Sequence, residues 1–258
     1  LALVILCLGD LMIVLDSTIV NVALPSIGSE LAFSPTALVW VINAYLLTYG
    51  GFLLLGGRLG DLYGHRLLYL AGIVLFTLAS LACGVAESRE MLVVARAVQG
   101  IGGAVVSAVA MALIMNLFPE PAERAKAMGV FGFVMAGGGS LGVLLGGVLT
   151  DALHWHWVFL VNVPVGVVVC ALVLALLPAG EGIAGERRID LAGALTITVS
   201  LMLAVYAIVN GNEWGWASTA TLGLLGTSAV LLLLFLFIEW RIATPLVLSV
   251  HTVVSYDF

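Results

Sequence analysis

Apolar stretches of about twenty residues recur along almost the whole chain, broken only by short runs of charge, proline and glycine. Hydrocarbon offers no water to backbone N–H and C=O groups, so a segment crossing a bilayer core of ~30 Å must satisfy them internally, as a helix. A barrel would need alternation with period two, which the chain lacks. Hydrophobic residues make up 62% of the chain and charged residues 9%, against about 45–50% and about 25% in soluble domains. A water-soluble globule is excluded, and the fold class is an all-α polytopic membrane protein.

Charge and Pro/Gly punctuation predicts eight helices, near 1–24, 36–56, 67–86, 91–114, 125–149, 156–178, 191–210 and 218–238. The first has no charged n-region or small-residue cleavage site, so it reads as a spanning helix rather than a signal peptide. The connections at 57–66, 115–124, 179–190 and 239–245 carry Arg58, Arg66, Arg124, Arg187, Arg188 and Arg241, with Lys126 just inside the next helix. The opposite loops carry only Arg89. The positive-inside rule makes the first set cytoplasmic, so both chain ends are expected in the cytoplasm of a multi-pass cell (plasma or inner) membrane protein. Trp155, Trp157, Trp214 and Trp216 fall in the outer loops, where an interfacial aromatic belt is expected. The polar stretch 179–190 separates six helices from two and suggests domains at 1–180 and 181–258.

Ionisable residues inside a membrane helix cost about 2.5–3.5 kcal/mol on insertion scales, which makes Asp10, Asp16 and Arg96 functional candidates. At 100° per residue, Asp10, Ser17 and Asn21 share a face, and Asp16 sits about 120° from Asp10. Different surroundings are therefore expected for the two acids. Arg96, Gln99, Gly100, Gly103 and Ser107 form a narrow polar stripe that must face protein or a water-filled cavity. Arginine does not release its proton in practice, so in proton coupling Arg96 would act on a neighbouring acid, with Asp16 or Asp10 as carrier.

Gly57-Arg58-Leu59-Gly60-Asp61-Leu62-Tyr63-Gly64-His65-Arg66 places an acid and two strong bases in a tight cytoplasmic turn. The bases alone could be topology determinants; Asp61 contributes nothing to orientation, and the spaced glycines imply a specific turn. Eight glycines between Gly129 and Gly147 require close helix packing to offset their cost. Cys7, Cys83 and Cys170 lie in apolar stretches and read as small core residues. His154 and His156 lack a third ligand and read as neutral interfacial imidazoles, so no metal site is expected. No cofactor cradle or nucleophile–base pair is present, so no catalytic residue is assigned; the net charge of −6 says little about partners, and nothing in the sequence suggests nucleic acid.

Four segments carry a family resemblance. Gly57–Arg66 is similar to the loop signature of the major facilitator superfamily (Gly-x-x-x-Asp-x-x-Gly-Arg/Lys-Arg/Lys), with His65 at a Lys/Arg position. Arg96-Ala97-Val98-Gln99-Gly100 resembles its helix-four signature. Gly129, Gly138, Gly142, Gly146 and Gly147 resemble its antiporter signature on helix five, with Val143 where that pattern has proline. Leu15-Asp16-Ser17-Thr18-Ile19-Val20-Asn21-Val22-Ala23-Leu24-Pro25 resembles the helix-one signature of the fourteen-helix drug:proton antiporters, and Trp157–Pro164 and Trp214-Gly215-Trp216 also look like that group.

The resemblance implies an N-terminal six-helix domain plus two additional helices, and transport by rocking about a central cavity. It implies proton coupling through Asp16, Arg96 and Asp10, and a cytoplasmic latch of Gly57, Asp61, Gly64, His65 and Arg66. It also implies a glycine seal on helix five and cavity-lining polar groups at Asn21, Gln99 and Ser107. The expected activity is export of amphipathic drugs or antibiotics in exchange for protons, with membrane lipid around the helices. With the chain ending at Phe258, a truncated half is expected, partnered by the missing C-terminal half or by a second copy. Export of an endogenous metabolite and a non-transporting half-transporter subunit are the alternatives.

Overall fold

A computed structural model describes residues 1–177 and 191–253, and the chain divides into two compact units, Leu1–Glu186 and Arg187–Phe258. The expected boundary near 180, Arg187 and Arg188 lie outside the described residues.

Among the described residues of the first unit, eight helices form six membrane-length spans. α1 is Ala2–Glu30; α2 (Pro35–Leu38) and α3 (Trp40–Tyr63) run on as one span; α4 is His65–Gly84, α5 is Arg89–Leu117 and α6 is Pro121–Ala152. The short α7 (Trp157–Leu160) and α8 (Asn162–Leu176) form the sixth span. Local sequence sets several starts. Ser34 and Ser88 accept hydrogen bonds from the Ala37 and Met91 amides, and Pro35 and Pro121 sit in first turns, where a missing N–H loses nothing.

Two boundaries differ from the sequence reading. The first helix continues through Pro25 to Glu30, because one proline removes a single intrahelical bond that a membrane helix tolerates. The 57–66 segment is helical through Tyr63. Its chain reversal falls on Gly64 alone, whose φ of 91° and ψ of 130° favour a residue without Cβ. Gly56 and Gly60 do not break α3; a Cβ on Gly56 would meet the Val105 backbone 3.0 Å away, so these glycines let α3 lie against α5.

Two apolar cores fill the bundle. One gathers Ile5, Met12, Tyr69, Phe76, Val106 and Val173; the other gathers Ile19, Ile27, Val41, Leu92, Trp155 and Phe159. Along α1 and α5 the boundary between them falls at Asp16 and at Arg96–Gln99, where the polar site lies. Outward surfaces carry Leu54, Leu78, Val94, Phe133 and Leu144, all more than half exposed, as suits a lipid-facing sheath. Trp157 is 47% exposed, as expected of a belt residue, but Trp155 is 1% exposed and belongs to the second core. Its indole N–H donates to the carboxylate of Glu30, itself half exposed, so burial of the ring is tolerated.

The second unit contains α9 (Leu191–Trp214) and α10 (Thr219–Val253), turning at Gly215 with φ 86°. Ser200 and Ser228 bind each other reciprocally: each hydroxyl donates to the other's backbone carbonyl, at 2.8 and 2.9 Å. Such pairs join helices where no hydrophobic driving force separates them from lipid.

Candidate functional site

At the boundary between the two cores, five of the six spans of the first unit contribute to one closed polar layer. α1 supplies Asp16, α3 the Val41 carbonyl and the Tyr45 ring, α4 Ser80, α5 Arg96 and Gln99, and α8 Asn162. Arg96 donates from Nη1 to Asp16 Oδ2 at 2.5 Å and to Gln99 Oε1 at 2.7 Å, and from Nε to Val41 O at 2.9 Å. Its guanidinium lies 4.2 Å from the Tyr45 ring centroid, a cation–π distance. Asp16 Oδ1 accepts from Gln99 Nε2 and Asn162 Nδ2, each at 2.8 Å. Both amides also donate to Ser80 Oγ, at 3.1 and 3.0 Å, and the Ser80 hydroxyl donates to Phe159 O at 2.9 Å. Asp16, Arg96, Gln99 and Ser80 are 0% exposed and Asn162 is 2% exposed. A charge pair this deep is tolerated only when surrounding donors and acceptors complete it, and here both carboxylate oxygens are engaged.

Asp10 occupies a separate pocket nearer the first core. It is equally buried, and Oδ1 accepts from Ser107 Oγ of α5 at 2.7 Å. Its second oxygen is buried without a hydrogen-bond partner. The Tyr69 hydroxyl nearby donates to the Ile5 and Leu6 carbonyls instead. The two acids therefore differ, as their angular separation on α1 predicts: one is saturated around a cation, the other holds a single bond.

The other sequence-derived residues fall in three places. Asn21 lies on the exposed side of α1, outside the layer, and donates to Ser17 O at 2.9 Å. At the Gly64 turn, Asp61 lies 3.3 Å from His65 Nε2, and Arg66 donates to Leu174 O in the last turn of α8 at 2.9 Å, a favourable place for a cation. On α6 the five motif glycines divide. Gly138, Gly142 and Gly146, four residues apart, face α1: a Cβ on Gly138 would meet Leu11 at 2.8 Å, on Gly142 the Thr18 hydroxyl, and on Gly146 the Ile19 carbonyl at 2.8 Å. Gly129 and Gly147 have nothing within 4 Å. Cys83 joins the layer weakly, its Sγ 3.7 Å from Gln99 Oε1.

Sequence reading passed over Ser80, Tyr45 and Asn162 as layer members. A polar amide inside an apolar span, near its start, was the available signal for Asn162. It also missed the surroundings of the outer-loop histidines: Glu30, at the end of α1, lies 3.1 Å from His154 Nε2 and accepts from Trp155 Nε1 at 2.9 Å. The premise that His154 and His156 lack a third ligand is therefore corrected. His156 is held below the usual histidine range by burial and by the neighbouring His154, with Glu30 opposing.

The matches to known proteins run along this same fold. The Major Facilitator Superfamily profile matches residues 6–250. The chain belongs to this superfamily. It is 43% identical over 244 residues to the puromycin resistance protein pur8 of Streptomyces alboniger, covering 95% of this chain and 48% of that protein. It is 40% identical over 248 residues to the cephamycin export protein CmcT of Amycolatopsis lactamdurans, covering 95% and 51%. Among solved structures, a bacterial homologue of the human lysosomal transporter Spinster, inward-facing and occupied, aligns with a TM-score of 0.57 at 17% identity, covering 89% of this chain and 57% of that one; it supports the fold. The chain spans about half the length of the curated relatives it matches. These matches identify a multi-pass transporter-family membrane protein rather than an enzyme.

Proposed function

We propose that this chain forms half of an exporter of drugs or antibiotics, driven by protons and working by alternating access with a second six-helix half. The observation that carries this reading is the sealed Asp16–Arg96–Gln99–Asn162 layer, the most concentrated buried polarity in the described residues of the first unit. Membrane interiors tolerate such groups where charge has to move. The names of the relatives, puromycin resistance and cephamycin export, support the substrate class.

In this mechanism Asp10, with its bare oxygen and no cation to give up, accepts the incoming proton. Protonation of Asp16 neutralises the partner of Arg96, which keeps its bonds to Val41 and Gln99. The tie between α1 and α5 then loosens while the Gly138–Gly142–Gly146 contact keeps α1 and α6 moving together. Asn21, exposed on the half as it stands, lies where a cavity facing the second half would be lined. The loop around Asp61 and Arg66 faces the cytoplasm and latches against the second half, with both ends of this chain on that side.

The test is efflux of a fluorescent cationic dye from proteoliposomes holding this chain with a second half, under an imposed pH gradient. The reading expects gradient-driven efflux that Asp16→Asn and Asp10→Asn each abolish or uncouple. Efflux indifferent to the gradient, or unchanged by both substitutions, would overturn it.

A further inference from the structure

At the end of the bundle opposite Gly64, three electron-pair donors outside the polar layer converge. The His154 and His156 Nδ1 atoms face each other at 2.6 Å, and His154 Nε2 lies 3.1 Å from Glu30 Oε2. One ligand atom from each of these side chains lies within 4.8 Å of the others. At that distance the two Nδ1 atoms share one proton, a place that a cation can take instead. The geometry points to a divalent-cation site made by Glu30, His154 and His156, a two-imidazole, one-carboxylate set suited to zinc or a similar borderline ion.

Surrounding contacts orient these ligands as metal sites require. Trp155 Nε1 donates to Glu30 Oε2 at 2.9 Å and fixes the carboxylate. Trp155 stacks on the His156 ring with centroids 3.7 Å apart and is itself immobilised in the core. Ligand atoms on a tetrahedral zinc, with Zn–N of about 2.0–2.1 Å, stand about 3.3 Å apart. His154 offers an ion one nitrogen at a time, and its ring, 48% exposed, has room to turn and bring the three ligand atoms, now within 4.8 Å of one another, to this spacing. A fourth position is left to water.

The ion would tie the last residue of α1, the helix that carries both acids, to the connection between α6 and α7. This inference is independent of proton coupling and of the transported substrate.

The experiment titrates zinc into the purified full chain in detergent, without a polyhistidine tag, by competition with a chromogenic chelator. It expects one saturable site, weakened at least tenfold by His154→Ala and by Glu30→Gln, and unchanged by His65→Ala at the opposite end. Zinc should also raise the melting temperature of the parent, reversibly with EDTA, and not that of His154→Ala. Both substituted side chains are about half exposed, so the variants should fold. Should either fail to fold, zinc-edge X-ray absorption on the parent decides: imidazole nitrogens in the first shell support the site, and an oxygen-only shell overturns it. Unchanged affinity in both variants, or no saturable binding, also overturns it.

Discussion

Arg96 and Asp16 form an ion pair at 2.5 Å with neither side chain more than 1% exposed, between two helices eighty residues apart in sequence. Removing one partner of such a pair leaves a buried, uncompensated charge, at a cost of about 3–5 kcal/mol. Asp16→Ala and Arg96→Leu should each destabilise the detergent-solubilised chain by that amount in denaturant unfolding. The double variant should lose clearly less than the sum of the two. Additive losses would show that the pair is not coupled.

Asp10 depends on Ser107 for its hydrogen bond, because its other oxygen is bare. Ser107→Ala should therefore cost about 1–3 kcal/mol, the penalty of leaving a buried polar group unsatisfied. In an Asp10→Leu background the same substitution should cost almost nothing, since no carboxyl remains to be orphaned. Equal costs in both backgrounds, measured by the same unfolding assay, would place the role of Ser107 elsewhere.

These two acids also mark how far the sequence could be read. Arg96 and Gln99 were legible as a group because helical spacing puts them on one face, and Asp16 and Asp10 as candidates because ionisable residues inside apolar spans are expensive, but no spacing rule told which acid Arg96 meets. Ser80 was not, since a lone serine in a membrane helix commonly bonds its own backbone. Asn162 lies 146 residues from Asp16, and no spacing rule reaches across that distance. The Glu30 contact to Trp155 spans 125 residues and was hidden for the same reason. The 57–66 segment misled because glycine and charge punctuate soluble helices, whereas here Gly56 and Gly60 serve helix contact and Gly64 alone turns the chain.

The α6 glycines separate by what each one faces. A Cβ on Gly146 would sit 2.8 Å from the Ile19 carbonyl, a backbone atom that moves only if α1 moves. Gly146→Ala should therefore lower the melting temperature and loosen α1 from α6, measurable as faster amide exchange in α1. Gly129 has open space around it, so Gly129→Ala should stabilise α6 by roughly 0.5–1 kcal/mol through helix propensity. Similar destabilisation at both positions would mean that the motif acts through backbone flexibility rather than close contact.

Asn162 is where the polar layer reaches the sixth span, and its loss can be separated from loss of the ion pair. Its amide donates to Asp16 Oδ1 and to Ser80 Oγ, but both acceptors keep other bonds: Asp16 still receives Gln99 and Arg96, and Ser80 still receives Gln99. Asn162→Leu therefore removes a hydrogen bond to a charged group, worth about 1.5–3 kcal/mol, without stranding a charge. It should destabilise the chain less than Asp16→Ala. It should also retain the coupling between Asp16 and Arg96 when the double-variant measurement is repeated in its background. Loss of that coupling would mean that Asn162 positions the carboxylate for Arg96, and that the layer is one cooperative unit rather than an ion pair with an added strut.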